Sequence, residues 1–289
     1  MPKPKQLRRP DWLKVSLETG EDYKELKELV SDLSLSTVCQ EANCPNLHEC
    51  WNARTATFMI LGEICTRHCS FCSVDKGRPG PVDTDEPRRI AEAIRRMDCR
   101  HAVITSVDRD DLSDGGAGVW AATIRAIRDV NPDTTMEVLI PDFQGDKEAL
   151  ATVMAARPEV LSHNVETVPE LYRRVRPDAD FQQSLDLLKR AAEWKREYPV
   201  RIKSGMMLGL GETRKQLSVA MKRLAEHGCE ILTLGQYLPP TRNHLPVDRF
   251  VPPEEFIELK QLGESLGLVH VEAGPFVRSS YRAERHLHV

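Results

Sequence analysis

The chain has no run of about 18 or more consecutive apolar residues, so no membrane-spanning helix and no membrane partner are expected. It also lacks a dominant charge. The 40 Lys and Arg stand against 44 Asp and Glu, a net charge of −4, and this balance does not point to nucleic acid. The first ten residues, MPKPKQLRRP, are basic and carry prolines, but they lack the apolar stretch of a secretory signal. A reducing, cytoplasmic setting is therefore expected, where disulfides are rare. No internal repeat or low-complexity segment is visible.

Cysteine is not scarce. There are eight in 289 residues, and six of them lie between positions 39 and 72. Without secretion, that clustering favours metal or cluster binding over a disulfide framework. Length and the 40% hydrophobic content suffice for one large domain or two small ones.

From about residue 58, short apolar runs alternate with amphipathic stretches. The runs 58–65, 102–107, 136–141, 160–166, 201–209 and 231–237 read as strands buried on both faces. Helical patterns fall at 87–97, 118–130, 147–156, 169–175, 182–198, 214–227 and 253–266, and a last apolar run spans 269–277. Such alternation predicts parallel strands joined by helical crossovers. Six units are fewer than a closed barrel needs, so the expected fold is α/β, a partial (β/α)6 barrel with additions at both ends. The expected segments are 1–57, 58–250 and 251–289. Within the first, 21–33 reads as a short helix and 37–51 as an ordered loop without clear period. Chemistry is expected at the carboxyl ends of the strands.

The strongest motif is Cys65-Thr-Arg-His-Cys69-Ser-Phe-Cys72 at the end of the first expected strand. Three thiolates can hold three irons of a 4Fe–4S cluster and leave the fourth open to a small molecule, whereas electron-carrying ferredoxins complete the set with a fourth cysteine. A zinc site using His68 is a rival, but His68 sits beside Cys69 in the tight loop, which makes joint ligation awkward. A second triad, Cys39-Gln-Glu-Ala-Asn-Cys44-Pro-Asn-Leu-His-Glu-Cys50, precedes it. Cys99 and Cys229 each fall between a helix and the next strand, at the face away from the chemistry, and read as structural.

The C-x3-C-x2-C run with Phe71 before its last cysteine resembles the radical SAM superfamily, in which the open iron chelates S-adenosylmethionine (SAM). Together with the C-x4-C-x5-C triad, it resembles the lipoyl synthase family. Further likeness lies in Arg9-Pro10-Asp11-Trp12-Leu13, in Ala56-Thr57-Phe58-Met59-Ile60-Leu61-Gly62, and in Arg278-Ser279-Ser280-Tyr281. The resemblance covers about residues 9–285. It implies two 4Fe–4S clusters, one on Cys65, Cys69 and Cys72 that chelates SAM, and an auxiliary sulfur donor on Cys39, Cys44 and Cys50. A serine of the closing motif, Ser280 in preference to Ser279, is implied as the auxiliary cluster's fourth ligand. A hydroxyl is a less usual ligand than thiolate and suits a cluster that must be opened.

The implied activity is insertion of two sulfur atoms, at C6 and C8, into an octanoyl group linked to a carrier lysine. The implied partners are octanoylated lipoyl-carrier domains (2-oxoacid dehydrogenase acyltransferase subunits and the glycine-cleavage H protein) and a low-potential donor such as ferredoxin or flavodoxin. The implied SAM contacts are Phe71, near the adenine, and Thr105, Ser106 and Asp108, near the methionyl part. Asn164 and Glu166, two residues apart on one face, suit a ribose hydroxyl or the amino group. Arg176 and Lys203 are candidate partners for a carboxylate or amide carbonyl. Gly209-Leu210-Gly211 lacks the third glycine of a dinucleotide turn and Asp114-Gly115-Gly116-Ala117-Gly118 the lysine of a phosphate loop, and both are read as tight turns beside SAM. Arg173 and Arg174 offer a possible docking face for an acidic protein. Two alternatives stand beside this reading: another radical SAM sulfur-inserting enzyme, and an electron carrier with two complete cysteine sets.

Overall fold

The structure, a computed structural model, describes residues 7–14 and 20–288, so most of the basic start lies outside the described residues. The strands are β1 (Ser36–Thr37), β2 (Thr57–Ile60), β3 (Ile64–Cys65), β4 (Asp75–Lys76), β5 (His101–Ser106), β6 (Thr135–Leu139), β7 (Val160–Ser162), β8 (Arg201–Leu208), β9 (Ile231–Gln236) and β10 (His270–Gly274). All but β3 and β4 form one sheet, ordered β1-β2-β5-β6-β7-β8-β9-β10. Every neighbour from β2 to β10 is parallel, and β1 runs antiparallel along β2. Among the described residues β1 and β10 do not pair, so the barrel is open at one side.

β2, β7 and β9 are buried along their whole length, because their apolar runs are covered on both faces. Helices Glu86–Arg96, Ala117–Val130, Lys147–Met154, Phe181–Glu193, Arg214–Glu226 and Pro253–Ser265 follow β2, β5, β6, β7, β8 and β9 in turn. These are the six expected units. Side-chain caps start several of them: Asp146 accepts from the amides of Glu148 and Ala149, and Thr213 forms a reciprocal capping box with Gln216. One continuous apolar cluster runs from Leu26 to Val271.

Three expectations need correction. The apolar run 58–65 is not one strand. It breaks at Leu61 and Gly62, both at positive φ, where the buried Glu86 carboxylate accepts from the Leu61 amide at 2.8 Å. The break lets β3 leave the main sheet and carry Cys65 over the barrel mouth. Similarly, the run 160–166 is a strand only through Ser162; Glu166, at φ 66°, turns back to bridge Met206. Finally, 37–51 is not a loop throughout. It holds two short helices, Val38–Glu41 and Leu47–Asn52, the first capped by Thr37, whose Oγ1 accepts from the Gln40 amide.

Candidate active site

Cys65, Cys69 and Cys72 line a cavity of about 320 Å³ at the carboxyl ends of the strands. Residues of β2, β5, β6, β8 and β9 share its wall, which requires the sheet to be curled around it. The cysteine loop is held by backbone bonds. The Asp108 amide donates to Cys65 Sγ at 3.3 Å, Thr66 N to Asp108 O at 3.1 Å, Ser70 N to Val175 O at 2.9 Å, and Gly77 N to Cys65 O at 3.0 Å. All three thiols are free. Burial pushes Cys65 up to about 11 and Cys69 to about 12, and it raises Cys72 as well. Thiolates packed this way need a cation to exist together.

Cys39, Cys44 and Cys50 converge on a second, smaller cavity. Burial and mutual repulsion raise Cys39 to about 11 and Cys50 to about 12. The C-terminal tail closes over both cavities. Ser279 faces the large one, Ser280 the small one, and Arg278 lines both. The tail reaches this position because Gly235, at the end of β9, has no side chain; a Cβ there would collide with the Val277 carbonyl.

Phe71, Thr105, Ser106, Asp108, Asn164, Glu166 and Arg176 all line the large cavity. Three of their buried polar atoms have no protein partner: Ser106 Oγ, Asn164 Oδ1 and Arg176 Nε. Asn164 Nδ2 donates to Glu166 Oε1 at 3.1 Å, and Arg176 donates to the Asn164 carbonyl at 2.8 Å. Burial raises the Glu166 carboxyl, and Arg176 counters it. Gly205 makes room for this group, since a Cβ would stand 2.7 Å from both Asn164 Oδ1 and Thr233 Oγ1.

Lys203 is not among them. It is fully buried, and its Nζ donates to both oxygens of Glu137 at 2.8 Å, so it has no reach into the cavity and is corrected to a core ion pair. The glycine turns also do not line the cavity. Their amides are already occupied: Gly209 and Leu210 donate to Glu212, and Gly116 and Gly118 to Asp114. His68 points away to Asp178 and is largely exposed, which removes it as a zinc ligand beside Cys65 and Cys69. His163 is buried between the Ile140 carbonyl and Ser184. Cys99 and Cys229 each donate to the carbonyl two residues on, at the starts of β5 and β9.

Sequence reasoning missed Arg67. It is 3% exposed and donates to Asp110 at 2.7 and 2.9 Å and to Asp142 at 2.6 Å, with Asp108 3.4 Å away. An arginine inside the cysteine loop, read beside the acidic strand end Asp108-Arg-Asp110, was the available signal.

The chain matches the model of the radical SAM superfamily over residues 59–236, and that of the N-terminal domain of lipoyl synthase over residues 1–44. It is 53% identical over 278 residues to a lipoyl synthase of Chlorobaculum parvum, covering 96% of this chain and 94% of that one. It is 56% identical over 275 residues to a lipoyl synthase of Rubrobacter xylanophilus, covering 95% and 85%. The chain belongs to the lipoyl synthase family.

The Streptococcus suis SuiB structure bound to S-adenosylmethionine is similar in fold, with a TM-score of 0.56 at 11% identity, over 82% of this chain and 56% of SuiB. A lipoyl synthase is a radical SAM enzyme, and that superfamily works with SAM and a 4Fe–4S cluster. The donor set here fits both. Three half-buried thiols share one cavity wall with Asn164 Oδ1, Arg176 Nε and Ser106 Oγ, buried polar atoms without a protein partner that suit a polar ligand. Among the described residues no helix is long and apolar enough to cross a membrane.

Proposed function

We propose that this lipoyl synthase inserts sulfur at C6 and C8 of an octanoyl group carried on a lysine of a lipoyl-carrier domain. Cys65, Cys69 and Cys72 hold the SAM-chelating 4Fe–4S cluster, and Cys39, Cys44, Cys50 and Ser280 hold an auxiliary one. When bound, the first cluster with SAM supplies a hydrogen-abstracting radical, and the second supplies sulfur.

The chain's own residues bind, orient and shield. Asn164, Glu166 and Arg176 meet the ribose and aminoacyl groups of SAM, with Ser106 beside them. Phe71 presents its backbone to the adenine, and Thr105 and Asp108 shape the strand end beside the cysteine loop. Met59, Leu139, Met206 and Val277 form apolar wall for a fatty tail and keep water out. The observation that carries the reading is the tail: Arg278 lines both cavities, so an acyl chain in one stands next to the other.

The carriers are acyltransferase subunits of 2-oxoacid dehydrogenases and the glycine-cleavage H protein. The electron donor is a low-potential ferredoxin or flavodoxin, and the setting is the reducing cytoplasm. The test incubates reconstituted enzyme with an octanoylated carrier domain, SAM and reductant, and weighs the carrier by mass spectrometry. A gain of two sulfurs is expected. SAM cleavage without any sulfur gain would remove the sulfur-insertion reading.

A further inference from the structure

The tail that carries Ser280 continues into a 3-10 helix, Ala283–His288, which packs against β5 and places His286 beside Lys203 of β8. His286 is fully buried there, as are Lys203 of β8 and Glu137 of β6. A lysine ammonium has three N–H donors and no acceptor. Two point at Glu137 Oε1 and Oε2, both at 2.8 Å, and the third faces His286 Nδ1 at 3.1 Å. An ammonium donor is met only by a lone pair, so Nδ1 accepts and the ring proton sits on Nε2. The lysine therefore depends on the tail for its last partner. His270 and Glu272 lie close to His286, but the Lys203 charge beside that group opposes a cation there.

Two further ties bracket Ser280. Asn46 Nδ2 donates to the Phe276 carbonyl at 2.7 Å, and Tyr281 Oη donates to Glu49 at 2.9 Å. Both partners belong to the segment that carries Cys44 and Cys50. They tie the tail to the auxiliary loop alone. Besides the seat of Val277 on Gly235 of β9, His286 ties it to the barrel strands through Lys203 of β8.

We infer that His286 is the inner anchor of the C-terminal tail: by completing the donor set of Lys203 inside the barrel, it is a positioning residue that sets where Ser280 stands against Cys39, Cys44 and Cys50. This rests on the reading of Ser280 as an auxiliary-cluster ligand. A ligand held by a buried polar lock, not by its own weak bond to iron, can leave and return without the tail being lost.

The test uses the full-length chain carrying both clusters and compares wild type with His286→Ala, His286→Gln and Ser280→Ala. Amide exchange over 283–288 reads the anchor. It is expected to rise about tenfold in His286→Ala, the scale of one lost charge-assisted hydrogen bond, and to return toward wild type in His286→Gln, whose amide oxygen accepts from Lys203. Unchanged exchange in His286→Ala would overturn the anchor. Chelator-driven iron loss, followed in a Cys65→Ala/Cys69→Ala/Cys72→Ala background that holds only the auxiliary cluster, reads the consequence. It is expected to be several-fold faster in His286→Ala and in Ser280→Ala. Wild-type iron loss in Ser280→Ala alone would sink the ligand reading, while wild-type loss in His286→Ala with a freed tail would sink the positioning role.

Discussion

The Arg67 guanidinium lies 2.6 Å from the Asp142 carboxylate, so a residue inside the first cysteine spacer is bonded to the loop that follows β6. Both side chains are buried, and Asp110 adds two more bonds from the loop after β5. The cysteine loop is thus braced by charge against the loops after two strands.

Arg67→Met should therefore be costly. It leaves the Asp142 carboxylate buried without its cation, a loss of about 3–5 kcal/mol for a broken buried pair. Urea unfolding of the cluster-free chain measures it. SAM cleavage should fall as well, because the loop that carries the triad loses its brace. A variant as stable as wild type would contradict the brace.

Gly205→Ala should act on ligand binding more than on the fold. The new Cβ would stand 2.7 Å from Asn164 Oδ1, and that side chain must move. The expected result is about a tenfold rise in the SAM dissociation constant, equivalent to about 1.4 kcal/mol. Equilibrium binding of SAM to the reconstituted enzyme gives the number, and an unchanged constant would remove Asn164 from the SAM contacts.

Removing the auxiliary triad should separate the two chemistries. Cys44→Ala together with Cys50→Ala should cost about four irons per chain, the content of one cluster. SAM cleavage should persist, and sulfur transfer to the carrier should stop. Iron analysis and carrier mass read the two effects separately. Sulfur insertion that survived the loss would exclude this triad as the donor.

Acid should destabilise the fold through its buried imidazoles. Burial pushes His101 and His163 down to about 4 and His286 down to about 3. Each is neutral in the folded chain but takes a proton in the unfolded chain below about pH 6.5. The unfolded state then binds more protons, so stability is full above that pH and falls as pH drops toward 4. Each histidine contributes about 1.4 kcal/mol per pH unit across that window. Urea midpoints of the cluster-free chain at pH 7.5 and pH 5.5 test it, and equal midpoints would show that these imidazoles gain no burial penalty.

The six β/α units were legible because a strand covered on both faces leaves an unbroken apolar run, and its crossover helix leaves a 3.6-residue period. The strand ends were less legible. The runs read as strands extend past Ile60 and Ser162, but the backbone turns at Leu61 and Glu166 through positive φ, which no sequence pattern records. The two short helices around Cys39 and Cys50 were missed because four to six residues are too few to show a period. Lys203 and Asn164 both sit at polar positions near strands, and nothing local separates them. Lys203 lies three residues into β8 and faces Glu137 inside the barrel, whereas Asn164 lies beyond β7 at its mouth.

The sequence by itself determined the chemistry available: two cysteine triads of defined spacing, a closing serine pair, and the repeat that builds the barrel. Thiolate spacing is local, and a few residues of chain are enough to decide which ligands can share one cluster. Only the tertiary structure decided which serine faces which cavity, that Arg67 braces the cysteine loop, and that Lys203 is held by Glu137 and the tail. Those outcomes depend on bonded residues 43 to 83 positions apart, and on Ser280 meeting cysteines at least 230 positions earlier. Such pairings are set by how strands and tail pack in space, and no local pattern carries that information.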